Sequence, residues 1–226
     1  KAKRDQLRDA FNFAGIRLGD DEITPRSLQS LVDRAQEISN RPAWIIGMMV
    51  LRSMSQARYD TCNRGHFGLA LPKYTHFTSP IRRYADLTVH RMIKSGNPIA
   101  DVSMDQIATH TSVTERRAEH VSRGVVDWLK CDFIADRVGE TFSGIVVGVT
   151  EFGLFVELVD FAVQGLVHIS KIGRDYYQFV PESMSLVAER SGDRFTLGDA
   201  LDVVVNDVSV EKRRVDLVLL RSRRRK

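Results

Sequence analysis

The chain has 226 residues, 43% hydrophobic and 27% charged, proportions that exclude a disordered polypeptide and leave room for two domains. Its longest apolar run, Trp44 to Leu51, falls far short of the ~18–20 residues of a membrane helix, and no secretory leader opens the sequence, so a cytoplasmic protein without membrane contact is expected. A net charge of +4 favours an anionic partner, while Cys62 and Cys131 supply neither a disulfide framework nor a paired-cysteine zinc motif.

From Lys1 to about Val138 the apolar residues recur at helical spacing. Leu7, Ala10, Phe11 and Ala14 form a stripe that stops at Gly15, Thr24-Pro25 opens a second helix through Leu28, Leu31, Val32 and Ala35, and a third helix follows Pro42. A fourth is expected to start at Ser79 as N-cap, with Pro80 at the first helical position, Arg82 and Arg83 in the first turn, and Ile81, Ala85, Val89 and Met92 as its core face. Ser103 with Gln106, and Ser112 with Glu115, match the capping-box pattern. The second of these precedes a stripe through Ala118, Val121, Val125, Trp128 and Leu129.

After Gly139 the period changes to two. Phe142, Ile145, Val147 and Val149; Leu154, Val156 and Leu158; Val167 and Ile169; Leu201, Val203 and Val205; and Val215, Leu217 and Leu219 mark five strands, the number in a small Greek-key barrel such as the OB fold. Between the third and fourth, Lys171 to Leu197 lacks alternation and reads as a long insertion with a helical turn. The expected class is α+β: a mainly helical part over 1–137, a five-stranded OB-type barrel over 138–221 and a basic tail over 222–226. The tail, with Arg221 before it, suits a phosphate-binding arm or a merely solubilising end.

Two groups of residues carry chemistry. Side chains alternate across a strand, so with Leu154, Val156 and Leu158 inward Phe155 points outward, and the same reasoning sends His168 outward. Phe152 lies just ahead, giving three flat rings on which nucleobases could stack, with Arg213 and Arg214 as phosphate partners. The bland alternative is that Phe152 and Phe155 cover a barrel edge or pack against the helical half. In the other half, Arg82 and Arg83 at a helix start oppose the helix dipole and make sense if an anion such as a scissile phosphate sits there. The competing reading is a pair of surface ion pairs with Asp86.

Gly144-Ile145-Val146, Phe152-Gly153-Leu154-Phe155-Val156 and Gly165-Leu166-Val167-His168-Ile169-Ser170 resemble the repeat of ribosomal protein S-one and its relatives. That resemblance implies an RNA-binding OB barrel with Phe152, Phe155 and His168 facing the ligand. His66-Phe67-Gly68-Leu69-Ala70-Leu71, followed by Tyr74 through Leu87, resembles the signature of the RNB catalytic domain of the ribonuclease II and ribonuclease R family, and Asp175-Tyr176-Tyr177 in the insertion is closer to the ribonuclease R branch. The resemblance implies a channel for single-stranded RNA, in which a magnesium-assisted water releases nucleoside 5′-monophosphates processively from the 3′ end. Arg82 would be the transition-state arginine, and Ser79, Arg83 and Tyr84 would lie along the RNA.

No stretch matches the family's closely spaced aspartates, and Asp20-Asp21-Glu22 reads as a solvated loop. The chain is therefore expected to be the carboxy-terminal part of such an exoribonuclease, with the Mg2+ ligands elsewhere, none in this chain, and inactive alone. Expected partners are single-stranded RNA, the missing amino-terminal half, and the ribosome or other RNA-rich assemblies. A non-catalytic RNA-binding module and a ribosome-docking adaptor remain as alternatives.

Overall fold

A computed structural model describes residues 2–19, 23–38, 43–96 and 103–220. The Asp20-Asp21-Glu22 triplet and the basic tail lie outside the described residues. The chain divides into two compact units, one of residues 1–19, 32–53 and 124–226 and one of 20–31 and 54–123. The helical part gives way to strands between Ala135 and Thr141, but the first two stretches of the larger unit group with the barrel.

The first helices follow their sequence signals. In α1 (Ala2–Phe13) the stripe Leu7, Ala10, Phe11 and Ala14 is buried, and Gly15, at φ 81°, ends the helix in the left-handed region that glycine tolerates. Helix α2 (Pro25–Ile38) is capped by Thr24: its hydroxyl accepts the Ser27 N–H at 3.1 Å, and the Ser27 hydroxyl accepts the Thr24 N–H at 2.9 Å. Helix α3 (Ala43–Ser53) buries Ile45, Ile46 and Val50 and packs against α1.

Helix α4 (Tyr84–Ser95) begins later than the sequence suggested, and Ile81, expected in its core face, is fully exposed in the turn before it. Helix α5 (Met104–Ala135) is continuous through Ser112, so no second helix starts there. The Ser112 hydroxyl donates to the Ala108 carbonyl at 2.8 Å and accepts the Tyr59 N–H at 2.9 Å, which occupies it within the helix instead of at a cap. The stripe Val121, Val125, Trp128 and Leu129 is exposed, because a helical period marks an apolar face without fixing what covers it.

In the larger unit β1 (Thr141–Thr150), β2 (Gly153–Leu158) and β3 (Val163–His168) are followed by an insertion sheet of β4 (Tyr177–Val180), β5 (Ser185–Ala188) and β6 (Arg194–Thr196), then by β7 (Ala200–Ser209) and β8 (Arg214–Leu219). Strands β1-β2-β3-β8-β7 close into a barrel, antiparallel except for the parallel β3–β8 pair. Closure removes the sheet edges. Leu154, Val156, Leu158, Val167, Val203, Val205 and Leu217 fill the interior with no exposure. The insertion, read from sequence as irregular, is a three-stranded antiparallel sheet whose Tyr177, Leu186, Ala188 and Leu197 join the barrel core. Its strands are only three or four residues long, too short for period-two alternation to show.

Candidate nucleic-acid interface

The register of the barrel strands separates two ends. One gathers the end of β1, the start of β2 and the end of β3; the other gathers the start of β1, the end of β2 and the starts of β3 and β8. The three predicted rings meet at the first. Gly153 pairs with His168, and the Ile169 N–H donates to the Phe152 carbonyl at 2.9 Å, so Phe152 and His168 are neighbours across the strand pair. The Phe152 and Phe155 rings touch edge to face with centroids 5.9 Å apart. Phe152 is 45% exposed, His168 is exposed and Phe155 is half-buried.

Two glycines make this arrangement possible. Gly153 sits at φ 153°, and a Cβ there would come within 2.3 Å of the Val167 carbonyl oxygen, so no other residue lets β2 start this close to β3. Gly148, opposite Phe155 at a β-bulge in β1, forms the floor under the ring: a Cβ there would lie 3.3 Å from Phe155 Cδ2. The His168 Nδ1 accepts the Ser170 N–H at 3.3 Å and lies 2.9 Å from the Ser170 hydroxyl, which orients the ring and leaves the proton of the neutral form on Nε2. These features give a ring-lined, solvent-facing surface suited to stacking unpaired bases.

Arg213 and Arg214 do not join it. Both fall at the opposite end, where the Arg213 guanidinium lies against Gly124 of α5 and Arg214 donates to Asp216 at 2.8 Å. That end is covered by Phe133, Phe161 and Phe142 in edge and tilted contacts, with the Arg137 guanidinium 4.9 Å from the Phe133 and Phe161 ring centres. Lys171, exposed and three residues past His168, is a nearer cation that the sequence pattern did not single out.

The smaller unit holds the arginine segment. Ser79 does not cap a helix; residues 79–83 form a turn in which the Ser79 carbonyl accepts the Arg83 N–H at 3.0 Å and the Arg82 N–H at 3.3 Å. The reason is Asp86, buried in the first turn of α4. Its Oδ2 accepts both the Ser79 N–H and an Arg83 guanidinium N–H at 2.8 Å, drawing the turn back onto the helix. Burial pushes the Asp86 carboxyl up, but the Ser79 N–H and the Arg83 charge outweigh it and hold the group below the ordinary carboxylate range.

The two adjacent arginines are thereby separated in role. Arg83 is folded inward onto Asp86 as a largely buried ion pair, not a surface pair. Arg82 is exposed, with no side-chain partner among the described residues, and Tyr84 is exposed beside it.

Around this turn runs a chain of rings, most of them within the quoted motif, to which the sequence reading gave no role. His66 meets Tyr74 at 5.0 Å between centroids, Tyr74 meets His76 at 5.7 Å and His76 meets Tyr59 at 5.6 Å, all edge-on. The Tyr59 hydroxyl and His76 Nδ1 are 2.8 Å apart, and burial together with the Glu115 charge pushes the Tyr59 phenol up. His90 stacks on Phe77 and its Nε2 donates to the Phe77 carbonyl at 2.8 Å. The alternation of Tyr74 and His76 in extended chain was the available signal.

Among the described residues no group of three or more His, Cys, Asp or Glu side chains could hold a metal ion, and Cys62 is exposed while Cys131 is buried. The described side chains do not fit a catalytic magnesium site. No helix among the described residues is long and apolar enough to cross a membrane.

A closed OB-type barrel with rings at one end defines a nucleic-acid-binding class of protein, and family models agree. Residues 1–96 match the RNB domain and residues 135–219 the S1 RNA binding domain. The chain is ribonuclease R-like: it is 44% identical to ribonuclease R of Escherichia coli over 96% of its own length. It also superimposes on Mycoplasma genitalium RNase R, with a TM-score of 0.83 for the apo form and 0.82 for the complex with ribose-methylated single-stranded RNA, at 26% identity over 97% of this chain. It spans 29% of the length of the Escherichia coli protein and 36% of each Mycoplasma genitalium chain.

Proposed function

We propose that the chain supplies the RNA-holding barrel and the transition-state arginine of a hydrolytic exoribonuclease that degrades single-stranded RNA processively in the 3′→5′ direction. The observation that carries this reading is the separation of the two arginines. Asp86 neutralises Arg83 and fixes the turn, leaving the neighbouring Arg82 guanidinium exposed. An unpaired guanidinium carried on a fixed turn suits a phosphodiester whose negative charge grows during attack, and removing such a donor typically costs about 10²–10³ in rate. In the barrel, Phe152, Phe155 and His168 stack bases without reading their identity, which suits an enzyme that must accept every nucleotide as it advances.

The hydrolytic step of the longer enzyme needs divalent cations, for which we propose magnesium held by carboxylates outside the described residues. The chain by itself then binds RNA without cutting it. Incubating it with magnesium and an end-labelled single strand tests this: a retarded, intact strand is expected, and processive shortening to mononucleotides would overturn it. A second reading, a non-catalytic RNA-binding module, is favoured by the lack of a metal-holding cluster among the described residues. It predicts that adding the upstream RNB segment restores no hydrolysis.

A further inference from the structure

Resting on the RNA-binding reading of the barrel, we propose a second nucleotide-binding patch on the insertion sheet, in which the Tyr176 ring takes a base and the Arg174 and Arg190 guanidinium groups take the adjoining phosphates. The two neighbouring tyrosines have opposite fates. Tyr177 is buried in the core, with its hydroxyl over Gly173, whereas Tyr176 is 68% exposed. A large flat ring presented to solvent at the start of a strand has no packing role to account for it.

Asp175 builds the mount. Its Oδ1 accepts the Tyr176 N–H at 2.8 Å, its Oδ2 the Ser191 N–H at 2.8 Å, and the Arg190 N–H lies 3.2–3.3 Å from both oxygens. The Glu189 N–H donates to the Tyr176 carbonyl at 2.9 Å. These bonds draw residues 174–176 and 189–191 side by side, so the backbone brings Arg174 and Arg190 into the neighbourhood of Tyr176. The nearby acids are engaged: Asp175 on backbone N–H groups, which hold its carboxyl below the ordinary range, and Glu189 on the Gln178 amide at 2.6 Å. Arg174 and Arg190 are exposed, and among the described residues neither side chain has a carboxylate partner.

An exposed ring with two guanidinium groups on adjoining segments, neither of them paired with a carboxylate among the described residues, is the composition of a single-strand platform, base on ring and phosphate on cation. Its position fits a continued path. Tyr176 follows His168 by eight residues, so their Cα atoms are at most about 28 Å apart, within reach of the roughly 4–16 nucleotides that an OB-type site engages. The exposed Lys171 lies between them in sequence.

The test compares a short oligoadenylate, filling only the barrel rings, with a longer one, by fluorescence anisotropy on the whole 226-residue chain. Tyr176→Ala should weaken the longer strand roughly 5- to 150-fold, the weight of one base–ring stack, with the short strand and the melting temperature unaffected and Tyr176→Phe close to the original. Arg174→Ala with Arg190→Ala should flatten the log–log salt dependence of binding by about 0.7 for each phosphate no longer neutralised. Unchanged affinity of Tyr176→Ala for the longer strand overturns the patch while leaving the barrel reading intact. A short strand indifferent to Phe155→Ala would instead show that the barrel reading has failed, and the patch with it.

Discussion

Gly148 lies opposite Phe155 in the β1–β2 register, and a Cβ built on it would meet the Phe155 ring at 3.3 Å. The glycine therefore sets the height at which the ring stands on the barrel. Gly148→Val is expected to tip Phe155 off its floor and weaken single-strand binding by about 1–3 kcal/mol, the value of one stacked base, while the barrel stays folded. Titration with oligoadenylate, alongside a thermal melt, checks this; an unaltered Kd would mean that Phe155 does not need this seat.

Removing the ring itself should cost the same. Phe155→Ala is expected to lose about 1–3 kcal/mol of RNA affinity and Phe155→Trp little or none. Arg214→Ala, by contrast, should leave stacking intact, because the residue stands at the other end of the barrel on Asp216. Equal losses from Phe155→Ala and Arg214→Ala would contradict the end-to-end separation.

Gly153 is predicted to be intolerant of any side chain. At φ 153° with a backbone oxygen 2.3 Å from the position of a Cβ, Gly153→Ala strains the strand pair by at least about 1–3 kcal/mol, or a fall in melting temperature of several degrees. Calorimetry of the variant decides it, and an unchanged melt would show that the strand start can relax.

Asp86 should make stability depend on acid. Its folded carboxyl sits below the ordinary range, so its contribution is fully present above the unfolded value of about 3.9 and is lost as pH falls through the folded value. Denaturant unfolding followed on the acid side is expected to show this loss. Asp86→Asn should flatten that limb and lower stability near neutrality, and an identical acid limb in the variant would remove Asp86 as its source.

In the longer enzyme the two arginines should fail differently. Arg82→Ala is expected to lower kcat by about 10²–10³ with little change in RNA affinity, whereas Arg83→Ala should act chiefly on stability by stranding the buried Asp86 carboxylate. Steady-state kinetics together with melting curves separate the two; a loss of RNA affinity as large as the loss of turnover would take Arg82 out of the chemical step.

Much of the larger unit was legible from residue order. Alternation placed Leu154, Val156 and Leu158 inside and left Phe155 and His168 outside, because a strand's two faces are written directly into its period. The insertion strands and the true start of α4 were not legible. Three-residue strands carry no readable period, and the turn at 79–83 depends on a carboxylate seven residues away whose reach no local pattern records.

Sequence alone determined that a helical part is followed by an OB-type barrel with Phe152, Phe155 and His168 outside its core, since periodicity and a few glycines suffice for that. Tertiary structure decided which cations accompany those rings and which of two adjacent arginines is left open. Both depend on where an acid, Asp216 or Asp86, comes to lie in space. An ion pair closes over a few ångströms that strand register and helix start must first set, which is why Arg214 and Arg83 read from the sequence as candidates and are occupied in the fold.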